Sequence, residues 1–100
     1  MDQALLTCSS LKELFLGGSN IGDKEVEKLL CLAELTCLEL SDTQISNKSI
    51  ELCVGFEKLE KLYLYGTKIT DECVDHIRRY KALTILGIIE DTLITKRGIE

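Results

Sequence analysis

The chain has 100 residues, a net charge of −5, 45% hydrophobic residues and a mean hydropathy of +0.09. That is enough for one domain over 1–100 with a continuous core, and no apolar run approaches the roughly 18 residues that span a bilayer. The longest cationic run is Arg78-Arg79, too little concentrated charge for a phosphate-backbone partner, so neither nucleic acid nor membrane is expected.

The opening Met1-Asp2-Gln3-Ala4 lacks the basic start of a secretory signal, which predicts a soluble, intracellular and cytoplasmic protein. Within residues 1–10, Leu5, Leu6 and Cys8 fall where Leu29, Leu30 and Leu32 recur, as the tail of a preceding unit would. Then Leu11-x-x-Leu14-x-Leu16 returns as Leu35-x-x-Leu38-x-Leu40, Leu59-x-x-Leu62-x-Leu64 and Leu83-x-x-Leu86-x-Ile88, each 24 residues after the last. A period of this length marks an array whose units bury their apolar faces only against neighbours. The units are 11–34, 35–58, 59–82 and a partial 83–100.

Within each unit the Leu-x-Leu segment alternates with period two, the pattern of a strand with one face buried. Leu14 and Leu16, Leu38 and Leu40, Leu62 and Leu64, and Leu86 and Ile88 should point inward. Consecutive strands should be parallel and joined by crossovers, one strand per unit. An aliphatic anchor follows at Ile21, Ile45, Ile69 and, displaced by one, Ile94. Two positions before each anchor stands Ser19, Thr43, Thr67 or Thr92, hydroxyls suited to bonding the backbone where the chain leaves the strand.

Gly22-Asp23, Ser46-Asn47 and Thr70-Asp71 then read as helix starts with polar caps. Val26, Leu29 and Leu32, then Ile50, Cys53 and Phe56, then Val74, Ile77 and Tyr80 recur at helical spacing, predicting short amphipathic helices. The five cysteines are odd in number and follow the repeat. They read as thiols in a reducing compartment, with Cys53 as a small core residue. Four ligands at zinc spacing are missing, so no metal is expected.

This order of strand, hydroxyl turn, aliphatic anchor and helix, with the consensus Leu-x-x-Leu-x-Leu-x-x-Thr-x-Ile-Thr-Asp-x-x-Val, resembles a leucine-rich repeat protein over nearly the whole chain. Cys8, three residues before Leu11, is similar to the cysteine-containing, ribonuclease-inhibitor-like branch. The chain departs from that branch in a slightly shorter unit and in Leu32, Phe56 and Tyr80 at most of the cysteine positions. The resemblance implies an α/β solenoid, with a parallel concave sheet of about four strands and short convex helices. It also implies a scaffold that binds other proteins through the concave face, without saying which ones.

The side chains alternating with the buried leucines should face out from that sheet. These are Glu13, Phe15 and Gly17, then Cys37, Glu39 and Ser41, then Lys61, Tyr63 and Tyr65, then Ile85, Gly87 and Ile89. Tyr63, Tyr65, Ile85 and Ile89 compose an apolar, aromatic patch of the kind enriched at binding hot spots. Glu13, Glu39 and Asp42 compose an acidic half. The partner-binding candidates are Phe15, Glu39, Lys61, Tyr63, Tyr65, Ile85 and Ile89, although exposed aromatics also stabilise cross-strand pairs.

An enzyme is not expected, and no catalytic or cofactor-binding residue is assigned. His76 is the single histidine, read as facing solvent from a convex helix. A dyad with Cys73, three positions earlier, would share one helix face, but no pocket signal accompanies it. Gly17-Gly18 lacks the context of a phosphate loop.

Two functions stay open: an adaptor or substrate-recognition element, as in a ubiquitin ligase assembly, and a structural piece that stacks through its ends. The segment 83–89 is β-prone and uncharged, and it reads as an uncapped sheet edge. It predicts either a homodimer through the C-terminal edge or a fragment of a longer chain.

Overall fold

Each Leu-x-Leu segment forms a three-residue strand centred on its first inward leucine. A computed structural model of the chain describes residues 10–88 and the backbone of 93–94. Its strands β1 (Glu13–Phe15), β2 (Cys37–Glu39), β3 (Lys61–Tyr63) and β4 (Ile85–Gly87) lie side by side in chain order. They pair in parallel, with Leu14 opposite Leu38, Leu38 opposite Leu62 and Leu62 opposite Leu86. The register therefore advances by 24 residues per strand, which stacks equivalent side chains directly on one another. Leu14, Leu38, Leu62 and Leu86 are buried, as are Leu40 and Leu64 in the adjoining row, while Leu16 and Ile88 are half-buried at its ends.

Just past each strand the chain turns through a left-handed residue: Gly18 at φ 75°, Asp42 at φ 57° and Gly66 at φ 66°. Glycine adopts this conformation without steric cost, and aspartate is one of the few other residues that tolerates it. The hydroxyls that follow close the turn as expected. Ser19 donates to the Leu16 carbonyl at 2.5 Å, Thr43 to Leu40 at 2.6 Å and Thr67 to Leu64 at 2.8 Å.

The opposite side carries α1 (Asp23–Lys28), α2 (Asn47–Leu52) and α3 (Cys73–Ile77), the first two each extended by a 3-10 turn. The Gly22 N–H, an orphan donor of the α1 start, is taken by the Glu25 carboxylate at 2.6 Å. Ser46 caps α2 by accepting from the Lys48 N–H at 3.3 Å. Val26, Leu29, Leu32, Ile50, Cys53, Phe56, Ile77 and Tyr80 join the leucines in one core. Tyr80 brings a hydroxyl into that core, where it donates to the Ile50 carbonyl at 2.6 Å. Ile50 lies in the last turn of α2, where carbonyls run short of intrahelical donors. Burial holds the Cys53 thiol up to about 12 and the Tyr80 phenol well above its ordinary value, so both stay neutral.

Successive units are also stitched by side chains at the first helical residue. The Asp23 carboxylate accepts from the Ser46 N–H at 3.0 Å and the Ser46 hydroxyl at 2.6 Å, and from the buried Ser49 hydroxyl at 2.5 Å. One unit later, Asn47 Oδ1 accepts from the Thr70 N–H at 3.0 Å while its amide donates to the Thr70 hydroxyl at 2.7 Å. Lys58–Glu34 and Lys81–Glu57 repeat an ion pair at the same interval, but both are exposed and contribute little.

The structure departs from the sequence expectation in two places. The third helix begins at Cys73, not at Thr70-Asp71: the Thr70 carbonyl accepts from the Cys73 N–H at 3.0 Å and its hydroxyl from Glu72 N–H at 3.4 Å. That tight first turn leaves Cys73 buried and Val74 half-buried, reversing the expected roles. The sheet is also not wholly parallel. A fifth strand, β5 (Leu93–Ile94), pairs antiparallel with β4, Leu86 opposite Ile94 and Gly87 opposite Leu93. The few residues between Gly87 and Leu93 suffice for a hairpin return and are too short for a parallel crossover. Ile94 is thus a strand residue, not a fourth anchor, and the edge of β4 that the sequence leaves open is occupied. The expected core residues Leu5, Leu6 and Cys8 and the turn residue Thr92 lie outside the described residues.

Leu62, fully buried between Leu38 and Leu86, tests the stacking. Leu62→Ala should lower the unfolding free energy by about 2–5 kcal/mol through lost burial and the cavity left behind. A urea melt that overlays the parent would show the register to be wrong.

Asp23 tests the stitch. Burial raises its pKa, but the bonds from Ser46 and Ser49 outweigh it and hold the carboxyl below its ordinary 3.8. A depressed folded pKa stabilises above the unfolded value, and that contribution disappears as pH falls from about 3.8 through the lower folded value. Asp23→Asn should therefore be less stable than the parent at pH 6, with the gap narrowing towards pH 3. Urea melts of both proteins at the two pH values would measure it, and a gap that does not narrow would contradict the assignment.

Candidate functional site

With helices on one side of the sheet, the other side presents three registered rows of side chains. The first runs Glu13, Cys37, Lys61, Ile85 and the second Phe15, Glu39, Tyr63, Gly87. Beyond the strand ends, Gly18 N–H bonds Ser41 O at 2.9 Å and Asp42 N–H bonds Tyr65 O at 2.6 Å. These bonds extend the face to a third row of Gly17, Ser41 and Tyr65.

Phe15 stands 63% exposed, the large hydrophobic residue most open to solvent among those described. Tyr63 and Tyr65, two apart on one strand, lean together with ring centroids 6.3 Å apart and planes at 27°. Both are half-buried because they lie over Gly87. A β-carbon there would stand 2.5 Å from the Tyr65 hydroxyl and 3.0 Å from Tyr63 Cδ1, so the missing side chain of β4 seats the tyrosine pair. Ile85 is half-buried beside them and Lys61 is exposed. Ile89 lies outside the described residues. Phe15, Glu39, Lys61, Tyr63, Tyr65 and Ile85 therefore share one sheet face, with Phe15 two strands away from the tyrosines.

Cys37 and Ser41, expected to face outward into solvent, are instead buried, at 6% exposure each. Both sit on the central strand rows, flanked by longer neighbours. Burial, and then the Glu13 carboxylate, push the Cys37 thiol above its ordinary pKa. Ser41 is covered as its hydroxyl accepts from the Tyr65 N–H at 3.1 Å and its own N–H donates to Glu39 Oε2 at 3.3 Å.

Around Ser41 the surface dips into a pocket lined by Glu39, Ser41, Asp42, Tyr65 and Gly66. Glycines shape it from both sides. The Glu39 carboxylate occupies the space a Gly17 side chain would take, and the Asp42 carboxylate the space a Gly66 side chain would take. Sequence reasoning listed these glycines or passed over them without a role. The readable signal was their place in the repeat, since Gly18 and Gly66 stand 24 residues either side of Asp42.

On the helix side, Cys73 and His76 do not make a nucleophilic pair. Cys73 is 3% exposed, and burial raises its pKa, opposite to the activation a nucleophilic thiol needs. His76 Nδ1 accepts from the Arg79 guanidinium at 2.6 Å. Among the described residues no group of three or more His, Cys, Asp or Glu is placed to hold a metal ion. Among them, too, no helix is long and apolar enough to cross a membrane.

No protein-family model matches the sequence, and no curated protein matches it. Solved structures do. An internalin (inlF) from Listeria monocytogenes is similar with a TM-score of 0.68 and 27% identity, over 92% of this chain and 25% of the internalin chain. The actin-binding site 2 of leiomodin-1 is similar with a TM-score of 0.69 and 16% identity, over 90% of this chain and 60% of that one. The chain thus spans a quarter of the internalin and well under the full length of the leiomodin piece. Its fold is a leucine-rich repeat solenoid, with the parallel strands on the concave side and the helices on the convex side.

Proposed function

We propose that the chain is a protein-interaction module that captures a partner segment on its concave sheet, through Phe15, Glu39, Lys61, Tyr63, Tyr65 and Ile85. The observation that carries this reading is the row of aromatic side chains on the face that no helix covers: Phe15 at 63% exposure, and the stacked Tyr63–Tyr65 pair held up by Gly87. Rigid aromatics on a packed sheet offer contact area at low entropic cost, the property that concentrates binding energy in a few residues. The repeat supplies the rigidity, because each strand is fixed by its neighbours.

Both structural neighbours support a binding role in kind, since one of them is named for an actin-binding site. Their identities of 27% and 16% carry the fold and no partner. An adaptor or substrate-recognition element of the cysteine-containing, ribonuclease-inhibitor-like kind, working in a reducing compartment, fits the core thiols Cys37, Cys53 and Cys73. None of the described cysteines forms a disulfide.

Replacing Tyr63 and Tyr65 together with Ser should weaken partner capture by about tenfold or more, the scale of hot-spot loss, while thermal unfolding stays cooperative. Capture that survives this double substitution but disappears with the convex-face change Arg78→Glu would overturn the reading.

A further inference from the structure

The partner-facing pocket has a charge and a shape that specify what enters it. Its floor is Ser41, its two acidic walls are Glu39 and Asp42, and its remaining wall is the Tyr65 ring beside Gly66. Among the described residues every ion pair lies elsewhere, at Lys48–Glu51, Lys58–Glu34, Arg78–Asp75 and Lys81–Glu57. Neither Glu39 nor Asp42 is neutralised by a cation of this chain. Both carboxylates occupy room that glycines leave, and Asp42 holds a left-handed position that the equivalent residues of the neighbouring units fill with glycine.

From this arrangement we infer that the concave face binds a basic, extended protein segment by taking one of its arginine side chains between Glu39 and Asp42, against Tyr65. A guanidinium matches the set better than an ammonium does. It is planar, so it can lie on the Tyr65 ring, and its fork of donors can serve two carboxylates at once. The apolar residues next to that arginine then reach Tyr63 and Ile85 on the adjoining strands, about 5 Å apart. A chain of net charge −5 also favours encounter with a cationic segment over an acidic one. The inference rests on the concave face being the interface.

The probe is the synthetic peptide Gly-Leu-Arg-Leu-Gly, capped at both ends, titrated into the full isotope-labelled chain and followed by amide chemical shifts. Its control carries citrulline, the uncharged isostere, in place of arginine. Shifts should centre on Ser41, Asp42, Tyr65 and Gly66. Affinity should fall about tenfold or more with citrulline, and by a similar factor in the Glu39→Gln/Asp42→Asn double variant. Asparagine suits the left-handed site and glutamine keeps an acceptor for Ser41, so both substitutions preserve the turn, and a superimposable thermal melt checks that. Equal binding of both peptides around Tyr63, Tyr65 and Gly87 overturns the arginine inference and leaves the concave interface standing. Shifts confined to the helices overturn both. An arginine peptide that moves no amide at millimolar concentration overturns the arginine inference alone.

Discussion

Everything else in this molecule depends on one constraint, the parallel pairing that places each residue beside the residue 24 positions on. No unit is long enough to enclose a core, so a leucine is buried only when the same leucine of the next unit lies on it. The same register that stacks Leu38 on Leu62 stacks Glu39 on Tyr63 on the other face. Stability and the chemistry of the binding face are set by a single offset, and a slip of one residue would exchange the two faces.

The polar groups obey that offset as well. A chain that turns twice per unit must satisfy many backbone donors and acceptors near its core. The hydroxyls of Ser19, Thr43 and Thr67 close one turn, and the side chains of Asp23 and Asn47 reach across to the next unit at the other. Among the described residues no buried side-chain nitrogen or oxygen lacks a partner. Where the pattern ends the solution changes: after β4 the chain forms the antiparallel β5, which takes up backbone groups that a further parallel strand would otherwise meet.

Local periodicity made the solenoid readable. The leucine spacing announced the strands and their direction, and the hydroxyls before Ile21, Ile45 and Ile69 bond as their positions imply. What stayed hidden depends on neighbours in space. That Cys37 and Ser41 are covered follows from the lengths of side chains on adjacent strands, which alternation does not encode. The shift of the third helix turns on one hydrogen bond from Cys73 to Thr70. β5 escaped because Leu93-Ile94 fits the repeat's anchor about as well as it fits a hairpin strand. On the binding face, the aromatic residues were visible from alternation alone. The glycines that make room for the tyrosine pair and for both carboxylates acquire meaning only when a side chain of one strand is seen lying over the backbone of another.

Amide hydrogen exchange under native conditions tests the stacking most directly. The N–H groups of Leu40 and Leu64 donate across the sheet to Tyr63 and Gly87 carbonyls at 2.9 and 2.6 Å. If one core shared between units holds the fold, these amides and those of the buried helix residues Ile50 and Ile77 should open together, with a common free energy close to that of global unfolding. Strand amides that exchange freely while the helices remain protected would contradict the account.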